Sequence, residues 1–87
     1  MANRRTSAGE RLRARRMQLG LSLRDVQRAS SRVARELHNR SFNLPASRLH
    51  FYETRDVTPS VYRIYTLARL YGCKLSEILA WYGIPSP

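Results

Sequence analysis

The chain is almost without lysine: fifteen of its 16 basic residues are arginine, and Lys74 is the exception. It is short of acid, with six Asp and Glu, and short of thiol, with Cys73 alone. It has no apolar run near the ~20 residues that a membrane-spanning helix needs. Each shortage excludes something. One cysteine cannot close an internal disulfide, so a disulfide-stapled secreted scaffold is out and a reducing, cytoplasmic setting is expected. The flanks of Cys73 suit a small buried hydrophobe rather than a redox thiol. The basic start of the chain leads into no hydrophobic segment, so no secretory signal is read. The two histidines, His38 and His50, have no second ligand at a useful spacing, and no metal is expected. The sequence shows no Gly-rich phosphate loop, no carboxylate pair and no nucleophile–base set. No enzyme and no cofactor are expected.

What remains is a chain of 87 residues, 43% of them hydrophobic, with a net charge of +10. That length makes one domain with a real core. The charge excess calls for an anionic partner, and arginine offers a planar fork that matches phosphate and guanine edges. An arginine-for-lysine bias of genomic origin would explain the ratio of the two cations. It would not explain the excess.

Residues 1–6 read as a flexible basic arm, 7–84 as the folded domain and 85–87 as a tail. Ser7 and Glu10 fit a capping box ahead of a helix over about 8–18, with Ala8, Leu12 and the Arg16 stem inward, Leu19 inward beyond its end, and Gly20 closing it. Ser22 caps a second helix. Its stripe of Val26, Ala29 or Ser30, Val33 and Leu37 carries it to about His38. Residues 39–43 break the pattern and read as a loop pinned by Phe42. Pro45 opens a third helix that ends near Tyr52 or Glu53. Thr58, with Pro59 in the first turn, opens a fourth with Val61, Ile64, Leu67, Ala68 and Tyr71 inward. Leu75, Ile78, Leu79 and Tyr82 give a fifth its apolar face, and Gly83 and Pro85 stop it. The expected fold class is all-α, with five short helices.

The third helix is the most informative part. With Leu49 and Tyr52 inward, its outward residues are Ala46, Ser47, His50 and Phe51. In a chain this basic, that is the outline of a helix offered to a DNA groove. The order of the parts then carries a resemblance. Arg11-Leu12-Arg13 and Arg16 through Ser22 stand around the end of the first helix. Ser47-Arg48-Leu49 and Tyr52-Glu53 lie in the third, followed by Thr58-Pro59-Ser60. Leu67-Ala68, Gly72, Leu75 and Glu77-Ile78-Leu79 complete the set. Over roughly residues 8–80 the chain resembles the phage repressor/Cro-type, or xenobiotic-response-element, helix-turn-helix family.

The resemblance implies a repressor-like, DNA-binding domain whose third helix (about 45–53) enters the major groove while the second crosses the backbone. Ala46, Ser47 and Phe51 fall where the family contacts bases, and His50 is a further base-contact candidate. Phe51 has a rival reading, half-buried against the Phe42 loop. Phosphate contacts would come from Ser22, from the backbone N–H groups of Leu23 and Arg24, and from Arg48 and Arg55. Arg16 and Glu53 would pair across the first and third helices as a structural ion pair. The implied partner is double-stranded DNA, and the implied function a transcriptional regulator of the repressor kind. A homodimer would use Trp81, Tyr82 and Ile84 of the fifth helix, unless those residues finish the core. One departure stands out. Residues 29–44 are about ten too many for a tight turn. They read as a lengthened second helix plus an inserted loop, about 30–44, carrying Arg32, Arg35, His38 and Arg40. A protein-interaction or antitoxin-like module of the same fold, with little or no DNA binding, is the alternative. An RNA or anionic-surface binder is a third.

Overall fold

Three serines start helices. In the computed structural model, which describes residues 6–85, Ser7 caps α1 (Ala8–Gln18), Ser22 caps α2 (Leu23–Glu36) and Ser60 caps α4 (Val61–Tyr71). Each hydroxyl accepts a backbone N–H that the first turn would otherwise leave orphaned. At Ser7 and Ser22 the residue three places on, Glu10 and Asp25, completes a capping box. A 3-10 turn (Arg40–Phe42), α3 (Ala46–Thr54) and α5 (Leu75–Trp81) complete an all-helical fold with no strand among the described residues. Residues 1–5 of the expected basic arm, and 86–87 of the tail, lie outside the described residues.

The core joins Leu12 of α1, Val26 of α2, Leu44, Leu49 and Tyr52 of α3, four residues of α4 (Ile64, Leu67, Ala68 and Tyr71), and Ile78 of α5. α3 packs on α1 and α2. α4 packs on α2, the 3-10 turn and α5, and α5 reaches back to α1. Four residues expected inward are exposed: Leu19 at 39%, Leu37 at 40%, Val61 at 71% and Leu75 at 45%. All four are the first residue of a helix or the cap after its last. There the chain has already turned away from the core, so the helical repeat extends one step past the packed stretch. The start of α4 also differs from expectation. Ser60, not Thr58, is the cap, and Pro59 is buried instead of lying in the first turn. Cys73 is half-buried.

The segment 30–44 is bound tightly to the body. α2 runs to Glu36, two residues short of the expected end. The buried Ser30 hydroxyl accepts the Leu44 N–H at 2.8 Å and lies 2.7 Å from the Gln27 carbonyl, to which it can donate. Ser31 donates to the Asn43 side chain at 3.0 Å. From α4, Thr66 donates to the Phe42 carbonyl at 2.7 Å and Arg63 to the Asn43 carbonyl at 3.1 Å. The Phe42 ring stands edge-on to Tyr62 and Tyr65, at 5.2 and 5.4 Å. Phe42 thus pins the loop to α4, as its place in the sequence suggests.

α2 closes in an unusual way. The His38 N–H donates to the Arg35 carbonyl and the Asn39 N–H to the Ala34 carbonyl, which requires a left-handed residue between them. His38 takes it, at φ 50°, where the corresponding places after α1 and α5 hold Gly20 and Gly83. An L-residue pays roughly 1–2 kcal/mol in that region. His38→Gly is therefore expected to stabilise the fold by about 1 kcal/mol and to raise the melting temperature by about 4–8 °C. A calorimetric scan checks it.

Candidate nucleic-acid interface

α3 begins at Pro45, which has no side chain able to cap it. The cap comes instead from α2. The Gln27 side-chain oxygen accepts the Ala46 N–H at 2.7 Å, satisfying an orphan donor of α3 and fixing its first turn against α2. Gln27→Ala should cost about 1 kcal/mol. Amide exchange should accelerate over the first turn of α3 before anywhere else, and Gln27→Glu, which keeps an acceptor, should preserve that turn's protection.

The opposite end of α3 is held by charge. Arg16 Nε and Nη2 donate to the two oxygens of Glu53 at 2.7 and 2.9 Å, and Nη1 donates to the Leu21 carbonyl at 2.9 Å. The two side chains keep only 12% and 2% of their surface in water. The Glu53 hydrogen bond pushes the Arg16 pKa up, so the guanidinium stays charged at any ordinary pH. One fork thereby joins α1, the turn after it and the end of α3.

Between these two ties, Leu49, Tyr52 and Glu53 face inward. Ser47, Arg48, His50 and Thr54 are exposed. Ala46 and Phe51, expected outward, are half-buried: Ala46 sits at the α2 edge, and Phe51 leans on the core cluster. The Phe51 ring stands edge-on to Tyr52 at 6.2 Å, with the Arg48 guanidinium 5.5 Å from its centroid. Phe51 is thus half-buried, as its rival reading has it, on the core cluster, while the Phe42 ring packs on Tyr62 and Tyr65. Thr54 was missed. α3 runs one residue past its expected end, and Thr54 falls seven residues after Ser47 on the same outer line, its hydroxyl donating to the His50 carbonyl at 2.8 Å.

The expected phosphate contacts are partly occupied from within. The Ser22 N–H donates to Asp25 at 2.8 Å, and the Ser22 hydroxyl accepts the Asp25 N–H at 3.0 Å. The N–H groups of Leu23 and Arg24 have no partner among the described residues. The Ser22 N–H holds the Asp25 carboxyl below its usual 3.8, so a negative charge stands beside them. The capping it gives α2 is fully present above that ordinary value and is lost as pH falls through the lower folded value. Arg24 and Arg55 are exposed and unpaired among the described residues.

At the end of α5, Trp81 and the C-cap Tyr82 are half-buried against the core, and Ile84 beyond the helix is exposed. The Tyr82 hydroxyl is enclosed without a hydrogen-bond partner among the described residues, and burial pushes its pKa up to about 12. Tyr82 therefore belongs with the core more than with an open face. His38 and His50 are both exposed, and no group of three metal-binding side chains occurs among the described residues. No described helix is long and apolar enough to cross a membrane. No protein-family profile, characterised protein or solved structure matches the chain.

Proposed function

We propose that this protein binds double-stranded DNA at specific sequences, as a cytoplasmic transcriptional regulator of the repressor kind, and that α3 enters the major groove as the reading element. The seating of α3 carries this reading. A short helix is fixed at its start by Gln27, at its end by the Arg16–Glu53 fork and along its length by Leu49, with Ser47, His50, Arg48 and Thr54 left outward. A reading element must be rigid, because hydrogen bonds to base edges tolerate little displacement. Ser47 and His50 can donate to or accept from base edges, Arg48 can reach a guanine edge, and Arg24 and Arg55 stand where phosphates would flank the groove. A net charge of +10 supplies the long-range attraction.

A second reading, a protein-interaction module of the same fold, is favoured by two observations. Asp25 crowds the start of α2 with negative charge. Val61, Tyr62 and Tyr65 expose apolar surface on α4. Selection of bound oligonucleotides from a random duplex library separates the two. Enrichment of one motif, altered at one or two positions by Ser47→Ala or His50→Ala, supports the DNA reading. Absence of any enrichment at 50 mM salt leaves the interaction module. A two-fold motif with half-sites about one helical turn apart would report a dimer, for which Trp81 and Ile84 are the proposed contacts, together with Tyr82 at their edge.

A further inference from the structure

We propose that the lengthened α2 is a phosphate track: Arg28, Arg32 and Arg35, continuing from Arg24 and extended by Arg40, hold the sugar–phosphate backbone of the duplex beside the groove that α3 enters. This rests on the duplex-binding reading of α3. The steps from Arg24 to Arg28, Arg32 and Arg35 are four, four and three residues, which keeps the four side chains within an arc of about 80° on one face. At a rise of ~1.5 Å per residue, the row is about 16 Å long. All four arginines, and Arg40 after them, are exposed.

The row has almost nothing to neutralise it. Arg28 meets Asp25, both of them well solvated, and such a pair contributes little. Glu36, the other acid of α2, is bonded to Arg69 of α4. Arg24, Arg32, Arg35 and Arg40 have no ion pair among the described residues. Like charges four apart on a helix repel, and within the fold only the solvated Asp25 beside Arg28 offsets this. The row is also held rigid. The other side of α2 is buried through Val26, Ser30, Val33 and Ala34, and the Ser30–Leu44 and Ser31–Asn43 bonds fix its second half.

Its position fits one duplex shared with α3. Gln27 and Ser31, which touch Ala46 and Asn43, also line a shallow depression with Arg28, Arg32 and Arg35. The row therefore borders the first turn of α3. One strand of duplex DNA carries a phosphate about every 3.4 Å of axis, so the row faces roughly five. Arginine forks suit those oxygens better than an ammonium does. A lipid surface is the poorer match. An interfacial helix lays an apolar face into the membrane, and the apolar face of α2 is spent on the core.

The test is the salt dependence of the Arg28→Gln/Arg32→Gln/Arg35→Gln variant. It is measured on the duplex selected by the wild type and on an unrelated duplex of equal length. Each lost phosphate contact should remove about 0.9 from the slope of log K against log salt. From 50 to 200 mM salt, the wild type should then lose about 40-fold more affinity than the variant. Affinity for both duplexes should fall together, leaving their ratio unchanged, and the melting temperature should not fall. Ser47→Ala and His50→Ala should do the reverse, changing the ratio and leaving the slope. An unchanged slope in the triple variant, with wild-type binding intact, overturns the track and leaves α3 as the reader. Failure of the wild type to bind any duplex overturns both. So does a preference of the wild type for structured RNA or phosphatidylserine vesicles that the triple substitution abolishes.

Discussion

Arg16→Ala should destabilise the fold by about 3–5 kcal/mol, a large share of the stability of so small a domain. The magnitude follows from what the substitution leaves behind. The Glu53 side chain retains 2% of its surface in water, and the two donors at 2.7 and 2.9 Å both belong to Arg16. Removing them strands a carboxylate where water cannot replace them. Glu53→Ala should cost somewhat less. The orphaned guanidinium keeps its bond to the Leu21 carbonyl and has 12% of its surface exposed, so it can move outward. Arg16→Met/Glu53→Leu removes both charges and retains volume. It should be milder than the sum of the single losses, because breaking a buried pair costs more than never having one. Urea midpoints at constant m-value measure all three. Single losses under about 1 kcal/mol would mean that the pair is screened by water and does not seat α3. Duplex binding should decline in step with the folded fraction. A loss of binding in fully folded Arg16→Ala would instead give the arginine a direct part in recognition.

The local part of this architecture is legible in the sequence. Ser7 with Glu10, Ser22, and glycines 20, 72 and 83 mark helix ends because capping is settled within a few residues. The run of Ile64, Leu67, Ala68 and Tyr71 marks a core face because the helical repeat is equally local. The long second helix is legible for the same reason; that Phe42 pins its loop is legible only in outline, because its partners Tyr62 and Tyr65 lie on α4. What escaped depends on distant partners. Gln27 caps a helix nineteen residues further on, and nothing near it announces that. Ser60, not Thr58, caps α4, and Pro59 between them is buried, a placement that the local pattern does not announce. The arginines of residues 30–44 were visible as a group. Their alignment with Arg24 and Arg28 needed α2 to be one uninterrupted helix. Among the candidate site residues, exposure of Ser47, Arg48 and His50 follows from period alone. The half-burial of Ala46 and Phe51 depends on how closely α2 and the core crowd the edges of α3.

Gly9, the second residue of α1, sets how closely α1 approaches α3. A Cβ built on it would lie 2.6 Å from both the Tyr52 and the Glu53 carbonyl oxygens and 2.9 Å from the Glu53 carbonyl carbon. Those are backbone atoms at the end of a helix whose side chains are buried on either side, so none can turn aside as a flexible side chain would. The contact brings the positive end of the α1 dipole against the negative end of α3, which favours the approach as long as no side chain intervenes. Gly9→Ala sets two effects against each other. Helix propensity favours alanine by about 1 kcal/mol, while overpacking costs about 1–3 kcal/mol and occasionally more. With two rigid oxygens inside the contact limit, overpacking should win. Gly9→Val gains less propensity and adds bulk, so it should lose about 3 kcal/mol or more. Ala14→Gly, at an exposed site of the same helix, should show the propensity cost alone, about 1 kcal/mol. If Gly9→Ala instead raised stability by about that amount, the close approach would be absent, and the angle of α3 would have to be set by the Arg16–Glu53 fork and Gln27 alone. Where Gly9→Ala remains folded, it should push the Tyr52 end of α3 outward while Gln27 holds the other end. The helix would then tilt, and any duplex selectivity carried by Thr54 and His50 should weaken before that carried by Ser47.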